Sequence, residues 1–227
     1  MSQHLNAYDR ALVEIKNRLL FLSELVENQL QSAVKSFIEQ DEILAEKVIG
    51  SDDEIDLLDD KLEMDCLELI SIQQPVVDEL RFLASAMRIS RELERISDYA
   101  CNIAEAAIQL KKRYQWVKPL IDLPKMADLV QNMMKKSFLS FKDNNLNMAQ
   151  QMDDDDQEVD QLYFLFYDEL TEVIKSNPDR VDQAFSLLLV IRYLERIADH
   201  GVNIAEMVIF TETGERQPFK RKAEPGR

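Results

Sequence analysis

The sequence predicts an all-α protein built from two similar antiparallel three-helix bundles. Three observations carry that prediction. Gly and Pro are scarce in 227 residues, four and six, and aromatics make up only 7%, a composition that favours helices over a sandwich or barrel. Apolar residues recur at helical spacing through long stretches with neither Gly nor Pro. And one fifteen-residue segment occurs twice: Arg91–Glu105 reads RELERISDYACNIAE and Arg192–Glu206 reads RYLERIADHGVNIAE, with ten positions identical and no gap. A repeat spaced 101 residues apart marks two copies of one structural unit.

The elements follow in order. From Leu5 to Gln40 the apolar positions Leu12, Ile15, Leu19, Leu22, Val26, Leu30, Val34 and Ile38 predict a first long helix. A short helical stretch follows from Asp41, and Gly50-Ser51-Asp52 interrupts it. A second helix is expected from Asp52 to Gln73. Gln73-Gln74-Pro75 reads as a turn, with Pro suited to the first helical position, and a third helix runs from Val76 to about Tyr114. The segment Tyr114–Pro124, with Trp116, Pro119 and Pro124, forms the junction. A fourth helix covers Lys125–Lys142, Asp143-Asn144-Asn145 breaks it, and a short turn leads to a fifth over Asp153–Ser176. Asn177-Pro178 is a cap and first-turn signal before a sixth helix from Asp179 to about Thr213. The expected organisation is residues 1–115 and 116–214 as the two bundles, with 215–227 a flexible tail. Gly201, inside the last helix, aligns with Ala100, so a small residue recurs where close helix packing is expected.

The formal net charge of -16 argues against a nucleic-acid partner, which needs basic patches. The N-terminal MSQHLNAYDR has no apolar stretch of a secretory leader, and the longest apolar run, Leu187–Ile191, is far short of a membrane span. Cys66 and Cys101 lack metal spacing. A cytoplasmic chain with reduced thiols is expected, the cysteines serving as small core residues.

The chemistry lies in the acids that repeat. Glu94 and Asp98 recur as Glu195 and Asp199; upstream, Asp52 and Asp56 recur as Asp156 and Asp160. Each pair is four apart, so its members share one helix face. About the Pro75 turn, Asp56 and Glu94 are 19 residues before and after, and Asp52 and Asp98 are 23 before and after. In an antiparallel hairpin Asp56 should face Glu94, and Asp52 should face Asp98. Around Pro178 the second set converges in the same way. Four clustered carboxylates repel unless a cation lies between them, and all-oxygen ligands suit hard cations, iron or manganese. The competing reading is a solvated face paired with Arg91, Arg95, Arg192 and Arg196. The di-iron bundle signature Glu-x-x-His is absent. His200 reads as a packed or hydrogen-bonded side chain, and Asp153–Asp156 as an acid-rich helix start.

At these residues the chain resembles the PhoU family, the phosphate-specific transport system accessory proteins. Leu93-Glu94-Arg95-Ile96-x-Asp98 with Asn102-Ile103-Ala104-Glu105, repeated as Leu194-Glu195-Arg196-Ile197-x-Asp199 with Asn203-Ile204-Ala205-Glu206, carries the resemblance. Gln73-Gln74-Pro75 followed by Asp78-Glu79-Leu80-Arg81 adds to it, and it extends from about Ala7 to Thr213. It implies paired three-helix bundles and metal clusters on the E(D)xxxD motifs, here Asp52, Asp56, Glu94, Asp98, Asp156, Asp160, Glu195 and Asp199, with iron, zinc, manganese or magnesium as candidate ions. It implies a non-enzymatic negative regulator of phosphate uptake and starvation signalling. Such a regulator is a cytoplasmic homodimer, peripheral to membrane complexes. It sits between the ATPase subunit of the phosphate ABC transporter and a phosphate-sensing histidine kinase. The alternative is a carboxylate metalloprotein, a metal store or redox enzyme, unrelated to phosphate. Ser97 departs from the family, where many relatives have Gly.

Overall fold

The computed structural model describes residues 7–113 and 121–216, and among these there is no strand. The first half comprises α1 (Ala7–Glu39), α2 (Glu42–Gly50), α3 (Asp52–Gln73) and α4 (Val77–Arg113). The second comprises α5 (Leu123–Lys142), α6 (Leu146–Gln150), α7 (Met152–Ser176), a 3-10 turn (Pro178–Arg180) and α8 (Val181–Thr213). In each half three long helices pack against one another, α1, α3 and α4, then α5, α7 and α8, with the short helix laid against the last. The two antiparallel three-helix bundles expected from the repeat are present. The junction residues 114–120 and the tail beyond 216 lie outside the described residues.

Helix α1 shows how the sequence dictates this. Ile15, Leu19, Leu22, Val26, Leu30, Val34 and Phe37 are all buried, at the three- and four-residue spacing that makes one apolar stripe. Each such side chain contributes roughly 1.5–3 kcal/mol by leaving water. The stripe ends the same way in both halves. Gln40 (φ 56) and Asn144 (φ 50) adopt the left-handed conformation. The next amide reaches back to close the helix: Asp41 N donates to Ser36 O at 2.9 Å, Asn145 N to Ser140 O at 2.8 Å. That is a Schellman closure made without glycine. Asp41 and Asn145 then cap the short helices, accepting from Leu44 N at 3.0 Å and Met148 N at 3.1 Å.

Details differ from expectation at three turns. Gly50 stays helical, and Ser51, not Gly50, joins α2 to α3. Gln74 takes the left-handed conformation (φ 46), and α4 begins at Val77 rather than with Pro75 in its first turn. Asn177 precedes the 3-10 turn without a side-chain cap bond, so a tighter turn replaces the expected helix start at Asp179.

The halves join through α4 and α8, the helices that carry the repeat. They cross antiparallel: Glu92 and Tyr99 of α4 meet His200 and Tyr193 of α8. His200 Nδ1 lies 2.6 Å from Glu92 Oε2, and Asn203 Nδ2 donates to the same oxygen at 2.9 Å. The Tyr99 ring stands 5.8 Å from Tyr193 and 5.7 Å from His200. Since Tyr193 is the repeat counterpart of Glu92, and His200 of Tyr99, the contact is isologous in geometry. Burial works to raise the Glu92 carboxyl, but the bonds from His200 and Asn203 outweigh it and hold the group below its ordinary value. Gly201 packs as expected: a Cβ there would collide with Met134 of α5 and lie 3.5 Å from Met152 of α7.

Candidate functional site: two acid clusters

Each cluster forms where α3 starts beside the middle of α4, or α7 beside the middle of α8. In the first, Asp52 opens α3, where an acid suits the helix N-terminus, and accepts a hydrogen bond from Ser97 Oγ at 2.6 Å. Asp56, one turn on, is raised above the ordinary carboxyl range by desolvation and then by the charges of Asp52 and Asp98. Glu94 is buried; its carboxyl is raised by desolvation and then by Asp98, with Asp59 adding to the effect and Arg91 and Arg95 opposing it. In the second cluster Asp156 is pushed up to about 7 by desolvation, then by Asp160, Asp199 and Glu195. Glu195 is likewise pushed up to about 7, by desolvation first and then by Asp199. So the charges of α7 and α8 act on one another, as the hairpin geometry predicts.

The pairing in the first cluster differs from that geometry. Asp52 lies against Ser97, beside its expected partner Asp98. Across the hairpin Asp59 acts on Glu94, and Asp98 acts on Asp56. Asp59 is buried, with Arg91 Nη1 3.4 Å from its carboxylate. Height-matching treats helices as parallel rods and ignores which way each is rotated. Asp59 escaped the sequence reading although its distance before Pro75 equals that of Arg91 after it. Its repeat counterpart is Tyr163, and there Arg192 stacks over the ring at 5.7 Å instead. Ser97 is matched by Ala198, so the second cluster lacks the hydroxyl that serves Asp52.

As the side chains stand, the arginines hold the acids. Arg91 reaches Glu94 at 3.0 Å and Arg95 reaches Asp98 at 3.0 Å; Arg192 reaches Glu195 at 3.0 Å and Arg196 reaches Asp199 at 2.8 Å. In these rotamers no three of His, Cys, Asp and Glu among the described residues are placed to hold one ion. The inner oxygens are held more loosely, and alike in both halves: Glu94 Oε2 and Glu195 Oε2 are buried and accept no hydrogen bond, with only a long ion pair at each, Arg95 Nε at 3.5 Å and Arg196 Nε at 3.7 Å. A buried carboxylate oxygen without a hydrogen bond is costly, and a long arginine ion pair offsets that cost only in part. The all-oxygen donor set fits a hard cation.

Other expectations are met. Cys66 and Cys101 are buried and free, and burial pushes the Cys66 thiol up to about 12. Asp153, Asp154 and Asp155 occupy the first turn of α7. No described helix is long and apolar enough to cross a membrane.

The family model for the PhoU domain matches the sequence twice, over residues 19–107 and 123–208, one match in each half. The chain belongs to the PhoU family. It is 37% identical over 184 residues to the phosphate-specific transport system accessory protein PhoU homolog 1 of Methanothermobacter thermautotrophicus, covering 81% of this chain and 84% of that protein. It is 34% identical to the PhoU homolog of Aquifex aeolicus, covering 95% and 98%. The crystal structure of PhoU from Pseudomonas aeruginosa superposes with a TM-score of 0.88 at 29% identity, covering 92% of this chain and all of that one. The structure of the phosphate transport system regulatory protein PhoU from Streptococcus pneumoniae gives 0.85 at 28% identity, covering 93% and 99%. These PhoU relatives are named as accessory or regulatory proteins, not as enzymes.

Proposed function

We propose that this PhoU-family chain is an accessory protein of phosphate-specific transport that restrains phosphate uptake and starvation signalling. It works as a cytoplasmic adaptor, a homodimer, between the ATPase subunit of the phosphate transporter and a phosphate-sensing histidine kinase. The relatives' names support the link to phosphate transport. Partners and location rest on the family resemblance.

We further propose that both acid clusters bind metal ions, held by Asp52, Asp56, Glu94 and Asp98 in the first half and by Asp156, Asp160, Glu195 and Asp199 in the second. The observation that supports this is the buried Oε2 of Glu94 and of Glu195, which in both halves accepts no hydrogen bond and has only a long arginine ion pair. A bound cation would approach those oxygens more closely than Arg95 Nε at 3.5 Å and Arg196 Nε at 3.7 Å do. Arg91, Arg95, Arg192 and Arg196 are all partly exposed and can turn outward when a cation enters. A cation bound by carboxylates from two helices favours whichever conformation brings those helices together.

Elemental analysis of purified protein tests the metal reading, beside a variant with Glu94, Asp98, Glu195 and Asp199 changed to Ala. Metal that accompanies the wild type and is lost in the variant supports it. Protein that takes up no iron, zinc, manganese or magnesium even after loading defeats it. The regulatory reading is tested separately by deleting the gene and following phosphate uptake in phosphate-rich medium. Uptake should stay high, and unchanged uptake would remove the role.

A further inference from the structure

Beyond the α4–α8 crossing, the two halves leave a cleft of about 460 Å³ between them. The starts of α1 and α4 and the ends of α5 and α8 form its walls. A cavity of that size suits a small organic molecule. It is separate from the acid clusters: Arg81 in its wall and Glu94 both lie on α4, thirteen residues and ~20 Å apart along the axis.

The lining is apolar with two cations set into it. Leu12, Val13, Phe82, Phe141 and Val208 supply the apolar part. Lys16 Nζ is met by Asn144 Oδ1 at 3.4 Å and stands 5.7 Å from the centre of the Phe141 ring; neither partner carries a charge. Arg81 pairs with Asp78 through Nη2. Its Nη1 packs so closely on Gly214, at the end of α8, that a Cβ there would collide with it. Its Nε is buried and donates no hydrogen bond. A charged donor held in this way is costly unless an acceptor reaches it. Both cations therefore stand in an apolar cleft with bonding capacity to spare.

We propose that this cleft binds a small amphipathic monoanion, an apolar body bearing one carboxylate or sulfonate. The body lies against Phe82, Phe141 and Val208, and the anionic head lies between Lys16 and Arg81. The acids around the cleft fix the charge at one. Asp78 is already paired with Arg81. Glu79 accepts from Tyr8 Oη at 3.1 Å and from Val76 N at 3.2 Å, and Glu212 is exposed. Two cations beside three acids admit a single negative group and repel a polyanion. Because the walls come from both halves, the ligand favours whichever setting of the halves closes the cleft upon it.

The test is a fluorescence titration of the full chain with anilinonaphthalene sulfonate, an aromatic body with one anionic group, beside phenylnaphthylamine, the same body without it. The sulfonate should bind wild type once per chain, and the neutral body at least about tenfold more weakly. Lys16→Gln, at a partly exposed position, should weaken the sulfonate about tenfold. Val13→Trp, which fills the cleft, should abolish binding of both. Leu57→Ser/Met64→Ser, which removes apolar side chains exposed elsewhere on the chain, should bind as wild type does. Inorganic phosphate at matched ionic strength should not displace the sulfonate. Circular dichroism and cooperative melting confirm that each variant is folded. No binding by wild type, equal binding of the neutral body, or no weakening by K16Q overturns the proposal. So does displacement by phosphate, or loss of the signal in L57S/M64S, which would assign the probe to the outer surface. None of these outcomes touches the regulatory or the metal reading.

Discussion

Removing one charge from the second cluster should stabilise the metal-stripped protein, and more so at high pH. Asp156 titrates near 7 in the fold, against 3.8 for an ordinary aspartate. The folded state therefore holds this proton more tightly than the unfolded chain does. Stability is highest while the carboxyl is protonated, declines as pH rises above the unfolded value, and levels off above about 7 once the charge is carried in the fold. At about 1.36 kcal/mol per tenfold change in proton affinity, the full penalty is about 4 kcal/mol, and partial exposure discounts it to about 2 kcal/mol. Asp156→Asn keeps the shape and removes the charge. In urea melts with chelator present, the variant should exceed wild type by about 2 kcal/mol near pH 8 and by about half that near pH 5. A variant less stable than wild type at high pH, or a gain that does not change with pH, would refute the claim that burial, with repulsion added to it, strains the charged form of this cluster.

Other outcomes follow from the same structure. Manganese or zinc at about a hundred times its dissociation constant should stabilise wild type by about 2.7 kcal/mol in thermal melts, and Asp156→Asn by distinctly less. Gly201→Ala should lower stability by about 1 kcal/mol, since displacing the buried Met134 side chain costs more than the helix gains; a higher melting temperature would contradict the packing. His200→Ala, which strips a partner from the part-buried Glu92, should cost about 1–3 kcal/mol, and a double-mutant cycle with Glu92→Gln should show coupling. Neither cysteine should react with a thiol reagent at neutral pH until the chain unfolds, because both are buried and burial raises both thiols.

Most of the fold was legible because two signals agree. The apolar stripe of α1 and the doubled fifteen-residue segment both report long buried helix faces, and burial bears them out from Ile15 to Phe37 and at Ile96 and Ile197. The turns were less legible. The breaks at Gln40, Gln74 and Asn144 fall where expected, but their left-handed backbone was not legible, since these residues have only a modest preference for it, and Gly50 stays helical. The acids were found because like charges recur at helical spacing. Their partners were harder to place, since a height count from the turn fixes level but not rotation. That is why Asp59 went unnoticed beside Glu94, and why the hydroxyl of Ser97 looked like a neutral departure rather than a donor to Asp52.

The antiparallel crossing of α4 and α8 bears on how the chain avoids assembling wrongly. Its geometry is self-complementary, so nothing in the backbone stops the first half of one molecule from mating with the first half of another. The side chains do. Two first halves would set the carboxylate of Glu92 against Tyr99, with the Asn102 amide in place of that of Asn203 but no imidazole to receive it. Two second halves would leave His200 facing Tyr193, without its acid. Only a first half meeting a second half satisfies both groups, so the crossing carries an address. On a ribosome-fresh chain, where α4 is complete long before α8 emerges, that address keeps the waiting first half from closing on a neighbour.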